Sequence, residues 1–354
     1  MNPIFPFLII PKNPNLHHCS DTFLTSISHL QEEKNLVIKP LVGSAKSLLD
    51  LLCLGRKIFI TSSNTSLIIF LFSIEFNYVL VAFYCRALNV FLKKDIKIYY
   101  FMHEPRYERG RIHPFKAFLV YWYNVYFSFY ADRILIASED ALNRAKTFVK
   151  KEKIIRINLT FKSQSGPKLL NDFKTLGMLW NSTKNFSLIG RTATDKNPDG
   201  FLKMSTIAAQ CFSDSSKFIR AGMDKTSIKY PKSVIHFPGY LQPVAKDFLY
   251  SLSHILIIPY KYSTQSGVIS EALSYGKILI INNIPAFSHL KGLSFIFLID
   301  FDSRESIVSC LREVFLMSKD EYRSRCLAAI KYFEENHSEI YLKKNLEGIF
   351  LNFI

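Results

Sequence analysis

The stretch 255–281, ILIIPYKYSTQSGVISEALSYGKILII, holds the residues whose order best suits an anion. An apolar run ends at Pro259, a polar loop covers 260–265, and a helix opens at Ser266-Gly267. The first amides of a helix have no partner inside it and the macrodipole is positive there, so a phosphate group is favoured. Gly267 lets a phosphate approach the backbone closely, and Glu271, one turn on, shares that helix face. A carboxylate there can accept hydrogen bonds from ribose hydroxyls. A second stretch, 186–204, FSLIGRTATDKNPDGFLKM, places Arg191 directly after a strand ending at Gly190. Lys196 follows five residues later, just before a helix starting near Pro198, and the two cations form a clamp for a diphosphate. A third group, His103-Glu104-Pro105-Arg106, closes another strand with a histidine at its carboxyl end. Taken singly, each also reads as an ordinary strand–turn–helix crossover with solvated charges.

These residues need strands and helices to hold them. Short apolar runs at 4–10, 36–39, 57–61, 96–102, 133–137 and 154–158 read as strands, with helix-like segments between most of them. Parallel strands need crossovers of a dozen or so residues, which helices supply, so the first 160 or so residues are expected to form a doubly wound α/β sheet. The rhythm fades over 161–184. A second series of strands is expected at 186–189, 218–220, 234–237, 255–259, 278–281 and 295–299, with helices near 198–210, 242–252 and 266–275. Residues 303–354 read as helical. The expected division is an N-terminal domain over 1–165, a C-terminal domain over 166–335, and a last helix over 336–354. Open sheets of this kind bind ligands at their carboxyl ends. No G-x-G-x-x-G follows the first strand, which disfavours a dinucleotide-binding domain.

Composition narrows the partners. With 354 residues, 49% hydrophobic and 21% charged, the chain has apolar material for two cores, which excludes a disordered or low-complexity protein. Its net charge of +16 points to an anionic partner. Residues 1–170 hold 23 basic and 12 acidic side chains, and the remainder 22 and 17, so the first half is the one expected to meet that partner. Six cysteines lie far apart with no CxxC pair, and they read as buried reduced thiols of a cytosolic protein. Residues 1–10 read as a strand rather than a leader, and no clean apolar span suggests a membrane crossing. The aromatic run Phe115 to Tyr130, with Arg106, Arg109, Arg111 and Lys116 before it and Arg144, Lys146, Lys150, Lys151 and Lys153 after it, suits an anionic bilayer interface. No nucleic-acid motif is present.

Taken in order, Gly190-Arg191 with Lys196, the Phe237-Pro238-Gly239-Tyr240 strand end, and the 259–277 loop and helix resemble the nucleotide-binding half of the retaining GT-B glycosyltransferases of family 4. The 131–139 segment ADRILIASE and the strand ending at His103 are similar to that family's first half, so the likeness runs along nearly the whole chain. It implies two Rossmann-like α/β domains facing across a cleft. It also implies retaining, metal-independent transfer of a sugar from a nucleotide diphosphate donor, with no cofactor. On this pattern Arg191 and Lys196 meet the donor diphosphate, Glu271 holds the ribose, and His103 sits near the transferred sugar. Gly190, Gln265, Ser266, Gly267 and Val268 surround the phosphates, while Tyr240 and Leu241 fall in the base-contacting loop. Such enzymes commonly extend a lipid-linked glycan, as in bacterial surface polysaccharide synthesis, from the cytoplasmic face of the membrane.

The chain departs from the pattern in three places, one of them the loop glycine at Gly267, shifted by one position from the commonest version. Ser263 stands where the family has the first of two glutamates spaced eight apart, beside the donor sugar. The glycine-rich first loop is replaced by PKNPNLHHCSD at 11–21. Two other readings therefore stand: a nucleotide-sugar epimerase of the same architecture, and a non-catalytic subunit that binds donor or partner.

Overall fold

The computed structural model describes residues 4–9, 26, 48–62, 66–71, 77–102, 105, 113–158, 160, 183–212, 216–225, 227–263 and 266–351. The chain divides into two compact units, one of Met1–Phe161 with His337–Ile354 and the other of Lys162–Asn336. His103, Glu104, Arg106, Arg109, Arg111, Gln265, Cys19, the 11–21 loop and the strand expected at 36–39 lie outside the described residues.

In the first unit, β1 (Ile4–Ile9), β2 (Ser66–Leu71), β3 (Ile96–Phe101), β4 (Arg133–Ile136) and β5 (Ile154–Arg156) form a parallel sheet in that order. β2 and β3 are buried almost throughout, which is why they read as continuous Leu/Ile/Phe/Tyr runs rather than alternating ones. The described helices are α1 (Leu48–Thr61), α2 (Asn77–Leu92), α3 (Pro114–Tyr130), α4 (Glu139–Ala145) and, from the end of the chain, α10 (Glu339–Leu351). His113 and Ser138 cap two of them, accepting from the Phe115 amide (3.3 Å) and the Ala141 amide (3.1 Å).

One expectation fails here, and one strand was not foreseen. The run 57–61 is the last turn of α1, where Leu54 and Ile58 face the core at helical spacing. A short apolar run fits either period, and the Leu-rich residues before it decide for helix. The real strand is β2, hidden in the apolar stretch that continues through α2.

The second unit contains β6 (Lys184–Ile189), β7 (Ser216–Gly222), β8 (Val234–Pro238), β9 (Ile255–Ile258), β10 (Ile278–Asn282) and β11 (Ile296–Ile299). All are parallel, in the order β11-β10-β9-β6-β7-β8. Between them lie α5 (Pro198–Phe212), α6 (Pro243–Leu252) and α7 (Gly267–Ser274), followed by α8 (Arg304–Leu316) and α9 (Lys319–Asn336). The expected strands and helices of this half therefore stand within a few residues of their places. The chain moves outward from β6 through β7 to β8, then returns to β6's other side at β9, so the order reverses between β6 and β9. That reversal leaves a crevice at the strands' carboxyl ends.

Local bonds shape the crevice. At the amino end, buried His254 Nδ1 accepts from the Asn185 amide at 3.0 Å, and Asn185 Nδ2 donates to the Leu252 carbonyl at 2.8 Å. The ladder between β6 and β9 pairs only Phe186 with Ile255 and Ser187 with Leu256, so the strands part before they end. On the other side β6 and β7 close tightly. Gly190 and Gly222 have φ of +114° and +121°, and a Cβ at Gly222 would run into the Gly190 carbonyl. Gly222→Ala is accordingly expected to cost about 2–4 kcal/mol, read as a lower urea midpoint. An unchanged midpoint would show that the two strand ends do not need this close approach.

Candidate functional site

The site is built at the β6–β9 reversal, entirely within the second unit. β6 delivers Gly190 and Arg191, and a short 3-10 turn at Thr194–Lys196 follows. Asn197 then takes a left-handed φ of 48° and lets the chain turn into α5 at Pro198. β9 ends at Ile258, and α7 begins at Gly267 with Ser266 at its N-cap.

These pieces meet. A Cβ placed on Gly190 would lie 3.7 Å from Val268 Cγ2, so the end of β6 abuts the first turn of α7. The Asp195 carbonyl accepts from the Lys261 amide at 2.9 Å, tying the two loops together. Lys196 Nζ lies 3.8 Å from the centre of the Tyr260 ring and 3.8 Å from Asp195 Oδ2. Tyr260 is buried, although the sequence places it in a polar loop, and burial pushes its phenol up to about 12. The Ser266 hydroxyl and the guanidinium groups of Arg220 and Arg191 act against that rise, while Asp195 adds to it. Arg191, an exposed residue, thus acts through its charge on the same phenol whose ring Lys196 covers. Ser266 Oγ is buried beside the Tyr260 phenol, and it does not cap its own helix. Two cations and a helix start carrying a buried hydroxyl therefore gather at one place.

Glu271 is on α7 as the spacing suggests, but it is already engaged: Lys246 Nζ lies 2.5 Å from its Oε2, and Tyr250 donates to the same oxygen at 3.1 Å. Both partners come from α6, and neither was singled out from sequence, where they look like ordinary residues of an amphipathic helix. Ser263 is buried. Tyr240 is 76% exposed, with Phe237 and Tyr262 also exposed, so the end of β8 and the loop after β9 offer apolar surface to a planar group. Leu241 is half-buried beside Tyr240. Among the described residues no three His, Cys, Asp or Glu side chains gather as metal ligands.

Beneath the site lies a polar cluster that sequence reading missed. Arg220 of β7 has no exposed side-chain surface. Its Nη2 meets Asp224 Oδ1 at 2.6 Å and donates to Thr192 Oγ1 at 3.1 Å and the Met223 carbonyl at 3.3 Å. Thr192 and Tyr230 also donate to Asp224, whose other oxygen is 3.0 Å from His236 Nε2. Thr192, next to Arg191, is further fixed by backbone bonds to Met223 and Lys225. The available signal was Gly222-Met223-Asp224, which puts a carboxylate at a strand end beside the reversal.

Of the cysteines described, Cys85, Cys310 and Cys326 are buried free thiols, as expected, while Cys53 and Cys211 are exposed. Burial pushes Cys85 up to about 12 and Cys326 up to about 11, leaving both protonated and unreactive.

No family model matches the chain, and no curated protein matches it. Solved structures do. HepE from Anabaena in complex with UDP superposes with a TM-score of 0.67 at 12% identity, covering 99% of this chain and 100% of that one. A glycosyltransferase from Rickettsia africae gives 0.67 at 12% identity, covering 98% of each chain. An alpha,alpha-trehalose 6-phosphate synthase from Burkholderia multivorans gives 0.67 at 8% identity, covering 100% and 97%. The fold is GT-B. The agreement spans both units of the chain, and identity this low carries the architecture alone.

Asp224 yields a prediction for this GT-B chain. Burial would raise its carboxyl, but hydrogen bonds from Thr192 and Arg220, the Arg220 charge and Tyr230 outweigh that and hold it below the usual carboxylate range. A depressed carboxyl contributes stability above its unfolded pKa of about 4, and that stability is lost as pH falls through the folded value. Asp224→Asn is expected to melt lower at pH 7 and to lose less on acidification than the parent does. Melting curves from pH 7 to 3 with equal acid sensitivity in both proteins would refute the linkage.

Proposed function

We propose that the protein transfers a sugar, with retention and without a metal, from a nucleotide diphosphate donor to a glycan acceptor. The observation that carries this reading is the convergence of Arg191, Lys196 and the α7 start, with its buried Ser266 hydroxyl, at the β6–β9 crevice. HepE has been solved with UDP and with UDP-glucose, and a trehalose-6-phosphate synthase of similar fold has been studied for glycosyl transfer with retention. The family 4 resemblance adds the retaining outcome and the acceptor class, a growing lipid-linked glycan at the inner face of a bacterial membrane.

In this mechanism the donor's C1–O bond to the diphosphate breaks while the acceptor oxygen bonds to C1 on the same face. The acceptor proton passes to the departing diphosphate oxygen. Arg191, Lys196 and the first α7 amides neutralise the charge that develops there, which removes the need for a cation from solution. Ser266 donates its hydroxyl to a phosphate oxygen. Glu271, oriented by Lys246 and Tyr250, accepts from the ribose hydroxyls, and the base lies against Tyr240 and Leu241. His103 and Gln265, outside the described residues, are assigned to the transferred sugar and the phosphate loop by the family 4 resemblance alone.

A second reading draws on Ser263. With a hydroxyl where the related enzymes carry a carboxylate, and with Glu271 already paired, a donor-binding subunit without turnover is also consistent with the site.

Thermal shift against UDP, GDP, dTDP and their sugars tests binding, since a ligand at a hundred times its Kd adds about 2.7 kcal/mol. Purified enzyme with the stabilising sugar nucleotide is expected to release the nucleoside diphosphate in the presence of EDTA. Arg191→Ala or Lys196→Ala should each lose about 10²–10³ in rate. Stabilisation without turnover selects the silent subunit, and no stabilisation by any nucleotide defeats both readings.

A further inference from the structure

The donor site leaves the outer surface of the first unit's helical layer without a purpose. β2, β3 and β4 follow one another across the sheet, so right-handed crossovers place α2 and α3 on the same face. α1 packs beside α2, and Lys94 Nζ, just past α2, stands 5.7 Å from the Phe59 ring of α1. Each helix buries one stripe, through Leu54 and Ile58, through Tyr78, Cys85 and Leu88, and through Val120 and Phe127. The opposite stripes should be polar on a surface helix. Here they are not.

Thirteen of the 23 large apolar side chains exposed among the described residues sit on these three helices, including Phe83 (61%), Phe91 (81%) and Phe129 (74%). Trp122 and Phe118 stack edge to face there, with ring centres 6.1 Å apart. Half of the aromatic run of α3 is thereby explained, because Tyr123, Tyr126, Phe127 and Tyr130 join the core instead. The charges on this layer are predominantly positive. Arg56, Lys57, Lys93 and Lys116 are exposed, and α1–α3 hold a single acidic residue, half-buried Asp50. Asp95, beyond α2, is taken up by Ser66 at 2.7 Å and Lys97 at 3.2 Å. Several cations expected from sequence to face a membrane are spent elsewhere: Arg144 pairs with Asp140 at 2.9 Å, and Lys153 donates to the Ser128, Phe129 and Ala131 carbonyls.

An apolar face of this breadth, dotted with cations, complements aromatic rings at headgroup depth and anionic headgroups above them. A second copy laid face to face would oppose cation with cation. We propose that the outer face of α1–α3 seats the protein on a bilayer rich in anionic phospholipid, with Phe83, Phe91, Trp122 and Phe129 entering the interface. This rests on the surface of the first unit alone and is independent of the donor reading.

The test uses full-length protein carrying Trp180→Phe, which leaves Trp122 as the one tryptophan. It is mixed with phosphatidylcholine vesicles made with or without phosphatidylglycerol, at low and high salt. Co-sedimentation with the anionic vesicles at low salt, with a blue shift of Trp122 emission, is the expected result. Phe83→Ser with Phe91→Ser should weaken partitioning by about tenfold or more. Reversing Arg56, Lys57 and Lys93 to Glu should weaken it by about a hundredfold or more. Both variants are expected to keep the parent's circular dichroism. Three outcomes overturn the proposal: no partitioning at low salt, partitioning without a Trp122 shift, or a Trp122 shift caused by self-association in the absence of lipid. Nucleotide binding, measured separately, bears on none of these.

Discussion

A guanidinium sealed from water must find a partner for its charge and its donors, and Arg220 meets that demand at the one point where three strand ends converge. Its bonds reach Asp224 beyond β7, Thr192 beyond β6 and the carbonyls of Leu188, Ala221 and Met223. Removing one member of such a group leaves a buried charge uncompensated, which costs far more than the pair contributes when whole. The cluster is therefore obligatory as a unit. Because Thr192 is part of it, the backbone that presents Arg191 is fixed from below while the side chain above stays exposed. A rigid base under an exposed cation is the arrangement that anion recognition requires.

The crevice follows from the same economy of bonds. β6 and β9 are locked where His254 and Asn185 exchange hydrogen bonds, and they separate where the ladder stops. Just past the end of β9 lies buried Tyr260, with Lys196 on the face of its ring and the Ser266 hydroxyl acting on its phenol. A cation over an aromatic ring is held in place by the ring's electron-rich face, which sets where its charge meets an incoming anion.

The second half of the chain was legible because its strands are short, buried and parallel, and each is bounded by Gly, Pro or a polar loop. Arg191, Lys196 and Ser266 could be picked out because their positions at strand ends and a helix start carry meaning by themselves. Lys246, Tyr250 and Arg220 could not, since a helix lysine and a mid-strand arginine look ordinary until the chain is folded. In the first half, β2 and α2 merge into one apolar stretch, and the turn of α1 at 57–61 mimics a strand. The reason is the same in both cases. When a helix exposes apolar residues as well as burying them, the period that separates helix from strand disappears. The surface that makes α1–α3 unusual is what obscured them.

The path of the chain between its two units has a practical side. The second unit is a single uninterrupted stretch, 162–336, inserted between two parts of the first. It has the topology of a cassette: one pair of boundaries excises it whole, strands, helices and Arg220 cluster together. The first unit has no such boundaries. Any shortened form that stops near residue 161 discards α10, and a faithful version must splice 161 onto 337.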